Sequence, residues 1–242
     1  MSTSPFITFI TFGAPMQKYQ PMVNRICNEA KQSCLFDLVF GFTDQHLDEH
    51  FWNTHGAFIA ENPTGFGYWI WKPYVILQSM KETKYNDVII YADAGCTINA
   101  RAEKRFSEYI SILQSMDDSC GIITFQMEML PEKKYTKSTL LDYMNVSRED
   151  RESGQCHSTI LLMKKNEHTM NVLTKWYTIA CQYHLLKDNT VTENGVQHRH
   201  DQSILSILNK QHKSHIIKDE TFFEIFGNKE SLRVPFWATR VR

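Results

Sequence analysis

The 242-residue sequence lacks the patterns that mark several common classes of protein. Its six cysteines form no CxxC pair and no zinc-ligand spacing, which argues against a zinc-binding module. No stretch approaches the roughly 20 apolar residues of a membrane span, and no basic segment precedes the short apolar run near the N-terminus. The net charge of −1 is not the basic excess typical of nucleic-acid binding. We therefore expect a cytoplasmic protein with reduced cysteines and no nucleic-acid partner.

The signatures of several large enzyme classes are missing as well. The chain has no GxSxG, no P-loop and no GxGxxG, so nothing indicates a nucleophile elbow, a P-loop NTPase or a dinucleotide-binding fingerprint. Hydrophobic residues make up 42% of the chain and charged residues 22%, so a packed core is expected and disorder is not. The length suits one large domain.

Apolar runs alternate with helical periodicity along the first half of the chain. "FITFITF" and "LFDLVFGFT" predict buried strands, and "YQPMVNRICNEAKQS" between them predicts a helix. A strand, helix and strand in this order form the βαβ unit of a parallel sheet. Further strands are predicted from "DVIIYADAG", "CGIITFQM" and "STILLMKK". The expected fold is α/β, with a Rossmann-like, mixed but mostly parallel sheet flanked by helices.

Other stretches predict shorter or irregular elements. "HLDEHFWNTHGAFI" suggests a helix followed by a short strand, and "GFGYW" suggests a glycine-rich loop before a helix from about Pro73. "DQSILSILNKQ" predicts a helix that opens at Asp201. The tail "RVPFWATRVR" is basic, and its pattern indicates no regular structure.

Asp93 is the most informative polar residue, because it ends the apolar strand "DVIIYA". In an open parallel sheet, ligands bind beyond the carboxyl ends of the strands. A carboxylate there can hold a divalent cation, which would neutralise a departing diphosphate. Ala94 and Gly95 are small enough to let a ligand approach the backbone. Alternatively, Asp93 caps the next element or begins a turn.

Two further groups of residues are candidates for binding or catalysis. Trp69 and Trp71 would share one face of an extended chain, where they suit a sugar ring or base, and Lys72 suits a phosphate. Alternatively the tryptophans belong to the core and Lys72 is solvated. In "HRHDQS", Asp201 is a candidate general base and also a candidate N-cap of the following helix, and the two roles are not exclusive. His200 and its neighbour His198 are either metal ligands or surface residues.

Five blocks occur in an order that resembles a known family. "FITFITFGAP", "GFGYWIWKPYVIL", "VIIYADAGCTIN", "EKKYTKSTLLDYM" and "HRHDQSILSIL" together resemble small nucleotide-sugar glycosyltransferases of the GT-A fold, of the type found in bacterial polysaccharide clusters and large DNA viruses. The resemblance extends over nearly the whole chain. It implies one GT-A domain over 1–242, with a nucleotide-binding half at about 1–125 and an acceptor-binding half at about 126–242.

The resemblance also implies a reaction and roles for individual residues. The reaction is hexosyl transfer from a nucleotide-diphosphate sugar, usually a UDP-sugar, to a hydroxyl of a glycan or glycolipid, commonly with Mn²⁺ or Mg²⁺. Asp93 matches the first acid of the DxD metal motif, and Gly95 replaces the second. The metal would then be held by Asp93 with the donor phosphates and water, or with a late histidine such as His200, or it would be dispensable. Asp201 is the expected catalytic residue. The expected donor-binding residues are Thr11, Phe12, Gly13, Arg25, Trp71, Lys72, Asp93, Ala94, Gly95 and Gln155.

Two alternatives to a transferase stay open at this point. The missing second acid is compatible with a non-catalytic sugar-binding protein derived from a transferase. "DAGCT" also resembles the DxDGT signature of haloacid-dehalogenase-like phosphatases, but there the motif ends the first strand and its second Asp is required. Any contact with a membrane would be peripheral, through the basic tail residues Arg233, Arg240 and Arg242.

Overall fold

A computed structural model describes residues 4–188 and 197–241. Within them the strands are β1 (Ile7–Gly13), β2 (Leu38–Thr43), β3 (Val88–Ala92), β4 (Thr97–Ile98), β5 (Ile122–Pro131), β6 (Gly154–Cys156), β7 (Ile160–Lys164), β8 (His215–Lys218) and β9 (Phe236–Trp237). The helices are α1 (Met16–Ser33), α2 (Glu49–Glu61), α3 (Gly65–Tyr68), α4 (Trp71–Glu82), α5 (Glu103–Ser115), α6 (Glu132–Tyr135), α7 (Ser138–Tyr143), α8 (Arg148–Glu152), α9 (Glu167–Ala180), α10 (Tyr183–Leu186) and α11 (Asp201–Gln211).

Seven of these strands form one mixed sheet. β1 lies between β2 and β3 and is parallel to both, while β7 is antiparallel to β3 and to β5. Ile123 of β5 pairs with Leu162 of β7 on one edge and with His215 of β8 on the other, so β8 lies beyond β5. Five of the seven strands run in the same direction. The predicted α/β fold with a mixed, mostly parallel sheet is confirmed.

The central strand β3 is apolar on both faces because helices cover both faces of the sheet. Val88, Ile90 and Ala92 pack into one core cluster, with side chains from α1 and α5. Ile89 and Tyr91 point into the other, with side chains from α4, α9 and α11. Each cluster removes the apolar side chains of β3 from water, so the strand is held firmly up to its carboxyl end.

The second half of "HLDEHFWNTHGAFI" differs from the prediction. No strand follows the helix, because α2 continues to Glu61. Phe51, Phe58 and Ile59 lie at helical spacing and are buried, so the apolar end of this stretch completes a helix face. The carboxylate of Asp48 caps α2 by accepting a hydrogen bond from the backbone N–H of Phe51.

The basic tail is also more ordered than its composition indicates. Phe236 and Trp237 form β9, which pairs antiparallel with Ile98 and Thr97 of β4. The indole N–H of Trp237 donates to the carbonyl of Ser231. The segment after β9 then lies against the end of β3. The predicted tail residue Arg242 lies outside the described residues.

Two expectations from composition can be compared with the fold. All six cysteines lie in the described ranges and are free thiols. In the part of the chain that the structure describes, every helix is too short or too polar to cross a membrane.

Candidate active site

Two adjoining cavities open where β1 and β3 end. The larger has a volume of about 760 Å³ and the smaller about 270 Å³, and Trp69, Asp93 and Thr159 line both. Asp93 therefore stands on the wall that the two cavities share. A depression of about 750 Å³ on α5 is lined by that one helix alone, away from the strand ends, so it is not a cleft between elements.

Lys72 joins the two predicted acids at this wall. Its Nζ atom lies 2.9 Å from Oδ1 of Asp93 and 3.7 Å from Oδ2 of Asp201, and its side chain is 3% exposed. The alternative in which Lys72 is solvated is therefore wrong. Although burial lowers the pKa of Lys72, the attraction of Asp93 and Asp201 outweighs it and leaves the pKa above its ordinary value. The lysine is a fixed cation between two carboxylates.

Asp201 is the first residue of α11, and its carboxylate faces the cavity wall rather than its own helix. Oδ2 accepts a 2.9 Å hydrogen bond from the hydroxyl of Ser158, and the backbone carbonyl accepts one from the indole of Trp176. The N-cap position belongs to His200, so the capping interpretation of Asp201 is wrong. Burial raises the pKa of Asp201 to about 6, against the opposing effects of Lys72 and Ser158.

The stretch "GFGYW" forms a left-handed helical turn. Five consecutive residues, 65–69, have φ between +50° and +80°, and the N–H of Trp69 donates to the carbonyl of Gly65. Three of the five are not glycine, and a non-glycine residue in this region costs about 1–2 kcal/mol. Such backbone strain is concentrated at functional sites. The turn directs Trp69 toward both cavities.

Trp71 begins α4 on the other side of this turn. Its ring stacks on Phe12 with the centroids 4.0 Å apart, and its indole N–H donates to the carbonyl of Gly65. The side chain is 6% exposed, so it belongs to the core and also lines the larger cavity. Because the backbone reverses its handedness before Trp71, the two tryptophans do not share a face of an extended chain.

Most of the residues expected to bind the donor lie together. Those on the wall of the larger cavity are Phe12, Gly13, Trp71, Asp93, Ala94 and Gly95. Thr11 does not reach it, because it is fully buried inside β1. Gly13 is needed for packing, since a Cβ atom there would lie 2.7 Å from Val23 of α1.

Arg25 supports the site from behind instead of facing a pyrophosphate. Its guanidinium donates to the carbonyls of Ala94 (2.8 Å) and Cys96 (2.7 Å), and its other terminal nitrogen pairs with Glu29. Glu29 in turn accepts a hydrogen bond from the backbone N–H of Ile98. The guanidinium of Arg25 therefore does not face the donor as predicted. It holds the loop that follows Asp93 in position.

Gln155 likewise lies behind the cavity, since it is fully buried. Its amide nitrogen donates to Glu132 and Thr136, and its Oε1 atom accepts from the side chain of Gln202. Gln202 lines the smaller cavity. The amide that reaches the smaller cavity is thus that of Gln202, and Gln155 orients it.

The residues present do not fit a resident divalent cation. Oδ1 of Asp93 already accepts from Lys72 and from the hydroxyl of Tyr91, at 2.6 Å. His200 lines the smaller cavity, where its Nδ1 atom donates to the carbonyl of Leu186 and its Nε2 atom lies 3.9 Å from Oδ2 of Asp188. Among the described residues, no three His, Cys, Asp or Glu side chains group as a metal site. The Mn²⁺ or Mg²⁺ implied by the resemblance therefore stays a prediction, and the described residues do not supply a set of ligands for it.

The structure adds cavity residues that the sequence analysis did not assign to the site. Lys18 of α1 and Arg240 of the tail line the larger cavity, and Arg199 lines the smaller one. The signal for Arg199 was present in "HRHDQS", beside the predicted base. Nothing in the spacing of Arg240 indicated that the tail returns to the end of β3.

The comparisons with known proteins agree with this architecture. No protein-family model and no curated protein matches the sequence. A solved glycosyltransferase involved in the glycosylation of the major capsid of PBCV-1 is 10% identical, with 96% of this chain and 92% of that chain covered and a TM-score of 0.52. Mouse xyloside xylosyltransferase 1 is 13% identical, with 91% and 88% covered and a TM-score of 0.50. At these identities the similarity shows the fold alone, and that fold is GT-A.

Proposed function

We propose that this protein is a glycosyltransferase that moves a hexose from a nucleotide-diphosphate donor, a UDP-sugar, to a hydroxyl of a glycan or glycolipid. The observation that carries the proposal is the position of Asp93 on the wall shared by two cavities. A transferase needs a donor site and an acceptor site that meet at the bond to be broken. The fold of solved glycosyltransferases supports the same conclusion.

The larger cavity has the properties of a donor site. Its volume of about 760 Å³ lies within the range of about 300–1,000 Å³ that small-molecule sites occupy. Aromatic rings from Phe12, Phe66, Trp69 and Trp71 line it, and such faces suit a base and a sugar ring. Lys18 and Arg240 bring positive charge suited to a diphosphate.

The smaller cavity has the properties of an acceptor site. Asp201, Gln202 and Arg199 line it and offer acceptors and donors for sugar hydroxyls. In an inverting reaction, Asp201 removes the proton from the attacking hydroxyl; a carboxyl with a pKa of about 6 is ionised at neutral pH and is more basic than an ordinary aspartate. In a retaining reaction no such base is needed, and Asp201 positions the donor sugar.

The first test is a screen of nucleotide sugars for donor hydrolysis, combined with calorimetry of UDP binding. The expected result is UDP binding and slow hydrolysis of one donor class. Failure of the protein both to bind UDP and to hydrolyse any donor would overturn the proposal. Binding of UDP with no turnover of any donor or acceptor pair would indicate a non-catalytic binding protein instead.

A comparison of two variants tests whether the activity depends on Asp93. Asp93→Asn should abolish transfer while the protein stays folded, because the carboxylate faces both cavities and holds Lys72. Asp142→Asn is the matched control: its carboxylate is 68% exposed and pairs with Arg151 on the surface. Full transfer by Asp93→Asn would remove Asp93 from the mechanism.

A further inference from the structure

We propose that side-chain cations neutralise the donor diphosphate in this protein, with Lys72 in the place where a divalent cation would bind. This inference rests on the proposed function. It predicts that UDP binds without a metal ion.

The first observation is that both acids of the site already share a cation. The ammonium of Lys72 lies 2.9 Å from Asp93 and 3.7 Å from Asp201, and it donates to the hydroxyl of Ser158 at 3.4 Å. A metal ion bound at the same carboxylate oxygen would have to displace this ammonium. Displacement would leave a buried lysine without the nearer of its two counter-charges, which is unfavourable.

The second observation explains the missing second acid of the DxD motif. The tail lies directly on Gly95, whose carbonyl accepts hydrogen bonds from the hydroxyl of Thr239 and the N–H of Val241, both at 2.9 Å. A Cβ atom at position 95 would lie 3.3 Å from the carbonyl oxygen of Val241 and 3.4 Å from Cα of Arg240. The place of a second carboxylate is therefore taken by a segment that brings an arginine to the cavity.

The third observation is the charge of the two cavities taken together. Their described walls carry four permanently cationic side chains and two carboxylates. The cations are Lys18, Lys72, Arg199 and Arg240, and the acids are Asp93 and Asp201. The larger cavity alone carries Lys18, Arg240 and Asp93, a net charge of +1, and the lysines, arginines and carboxylates of the two cavities together give +2, which favours binding of a diphosphate.

Two of these cations are placed for the diphosphate itself. Lys18 and Arg240 come from different elements, α1 and the tail, and both line the larger cavity. Both residues are exposed, and the ion pairs found among the described residues do not include either. They are free to contact phosphate oxygens, whereas Lys72 holds Asp93 in place below them.

The experiment is calorimetry of UDP and of uridine, each in EDTA and in Mn²⁺ or Mg²⁺. UDP is expected to bind in EDTA with an affinity within about threefold of that with metal. Lys18→Ala and Arg240→Ala should each weaken the binding of UDP by about tenfold, in line with the loss of a charge-assisted hydrogen bond. The affinity for uridine should not change. Lys104→Ala, an exposed lysine of α5, is the matched control.

The outcomes separate this inference from the proposed function. UDP binding that appears only with metal would overturn the inference and leave the proposed function standing. UDP binding in neither condition would overturn the proposed function and the inference with it. If UDP binds in EDTA but Lys18→Ala and Arg240→Ala do not weaken it, the side-chain cations are not its ligands and the inference fails.

Discussion

The side-chain amide of Gln202 donates a 2.8 Å hydrogen bond to Oε1 of Gln155. This bond connects the wall of the smaller cavity to a buried network, because the amide nitrogen of Gln155 donates to Glu132, which also pairs with Lys210 at 2.9 Å. Glu132 and Gln155 are both fully buried. The orientation of Gln202 is thus determined by buried side chains that line neither cavity.

Replacement of Gln155 should therefore act on stability first. Gln155→Met removes a hydrogen bond to the buried carboxylate of Glu132, and the expected loss is about 2–3 kcal/mol in the free energy of unfolding, measured in urea. Gln202→Met removes the hydrogen bond that Gln202 donates to Gln155, and we expect a loss of about 1 kcal/mol or less in the free energy of unfolding. If Gln155→Met were as stable as the wild type, the hydrogen bond between Gln155 and Glu132 would not contribute to stability.

Arg25 should control the order of the loop that follows Asp93. Arg25→Met removes the donors to the carbonyls of Ala94 and Cys96, and we expect a loss of about 1–3 kcal/mol together with faster hydrogen exchange at the amide of Ile98. Arg101→Met, at an exposed position, is the control. Unchanged exchange at Ile98 would mean that Arg25 does not hold the loop.

The buried carboxyl of Asp201 should make stability depend on pH with a sign opposite to that of an acid whose pKa is lowered by folding. Burial raises its pKa from 3.8 to about 6, although Lys72 and Ser158 oppose the shift and Asp93 adds to it. Between pH 4 and 6 the folded state then binds more protons at this site than the unfolded state. The free energy of unfolding should therefore fall as the pH rises, by about 1 kcal/mol per pH unit relative to Asp201→Asn.

The measurement is urea unfolding of the wild type and Asp201→Asn at pH 4, 5, 6 and 7. Asp142→Asn provides the comparison for an exposed carboxylate. A difference between the wild type and Asp201→Asn that does not change with pH would contradict the raised pKa. If Asp201 is the base, transfer by the wild type should also decrease below about pH 6.

Restoring the two-acid motif should disturb the tail instead of creating a metal site. In Gly95→Asp the new side chain presses on Arg240 and Val241, so we expect a loss of about 1–3 kcal/mol and no gain in Mn²⁺ affinity. In a chain shortened after Ala238, the same substitution should cost less, and the difference measures the coupling between the tail and position 95. Equal costs in the two backgrounds would show that the tail does not restrict this position.

The sequence predicts the strands and the position of Asp93 well. It predicts poorly the buried contacts that hold the site residues in place. β1, β3 and the helix between β1 and β2 follow from local patterns that extend over whole elements. The burial of Lys72 does not follow, because a lysine on a helix is usually solvated and its partner acids lie directly after β3 and at the start of α11. The roles of Arg25 and Gln155 depend on long-range contacts, so the sequence indicated their proximity to the site but not which way they face.

The left-handed turn at residues 65–69 has a consequence for stereochemistry. Over this turn the backbone follows the path that a chain of D-amino acids would prefer. An L side chain at Gly65 would place its Cβ atom 2.5 Å from the ring of Trp69, and one at Gly67 would lie 2.7 Å from Ile59. A D-alanine introduced by chemical synthesis would match the local backbone at both positions. D-alanine should therefore be tolerated at Gly65 and Gly67 better than any L-amino acid with a side chain.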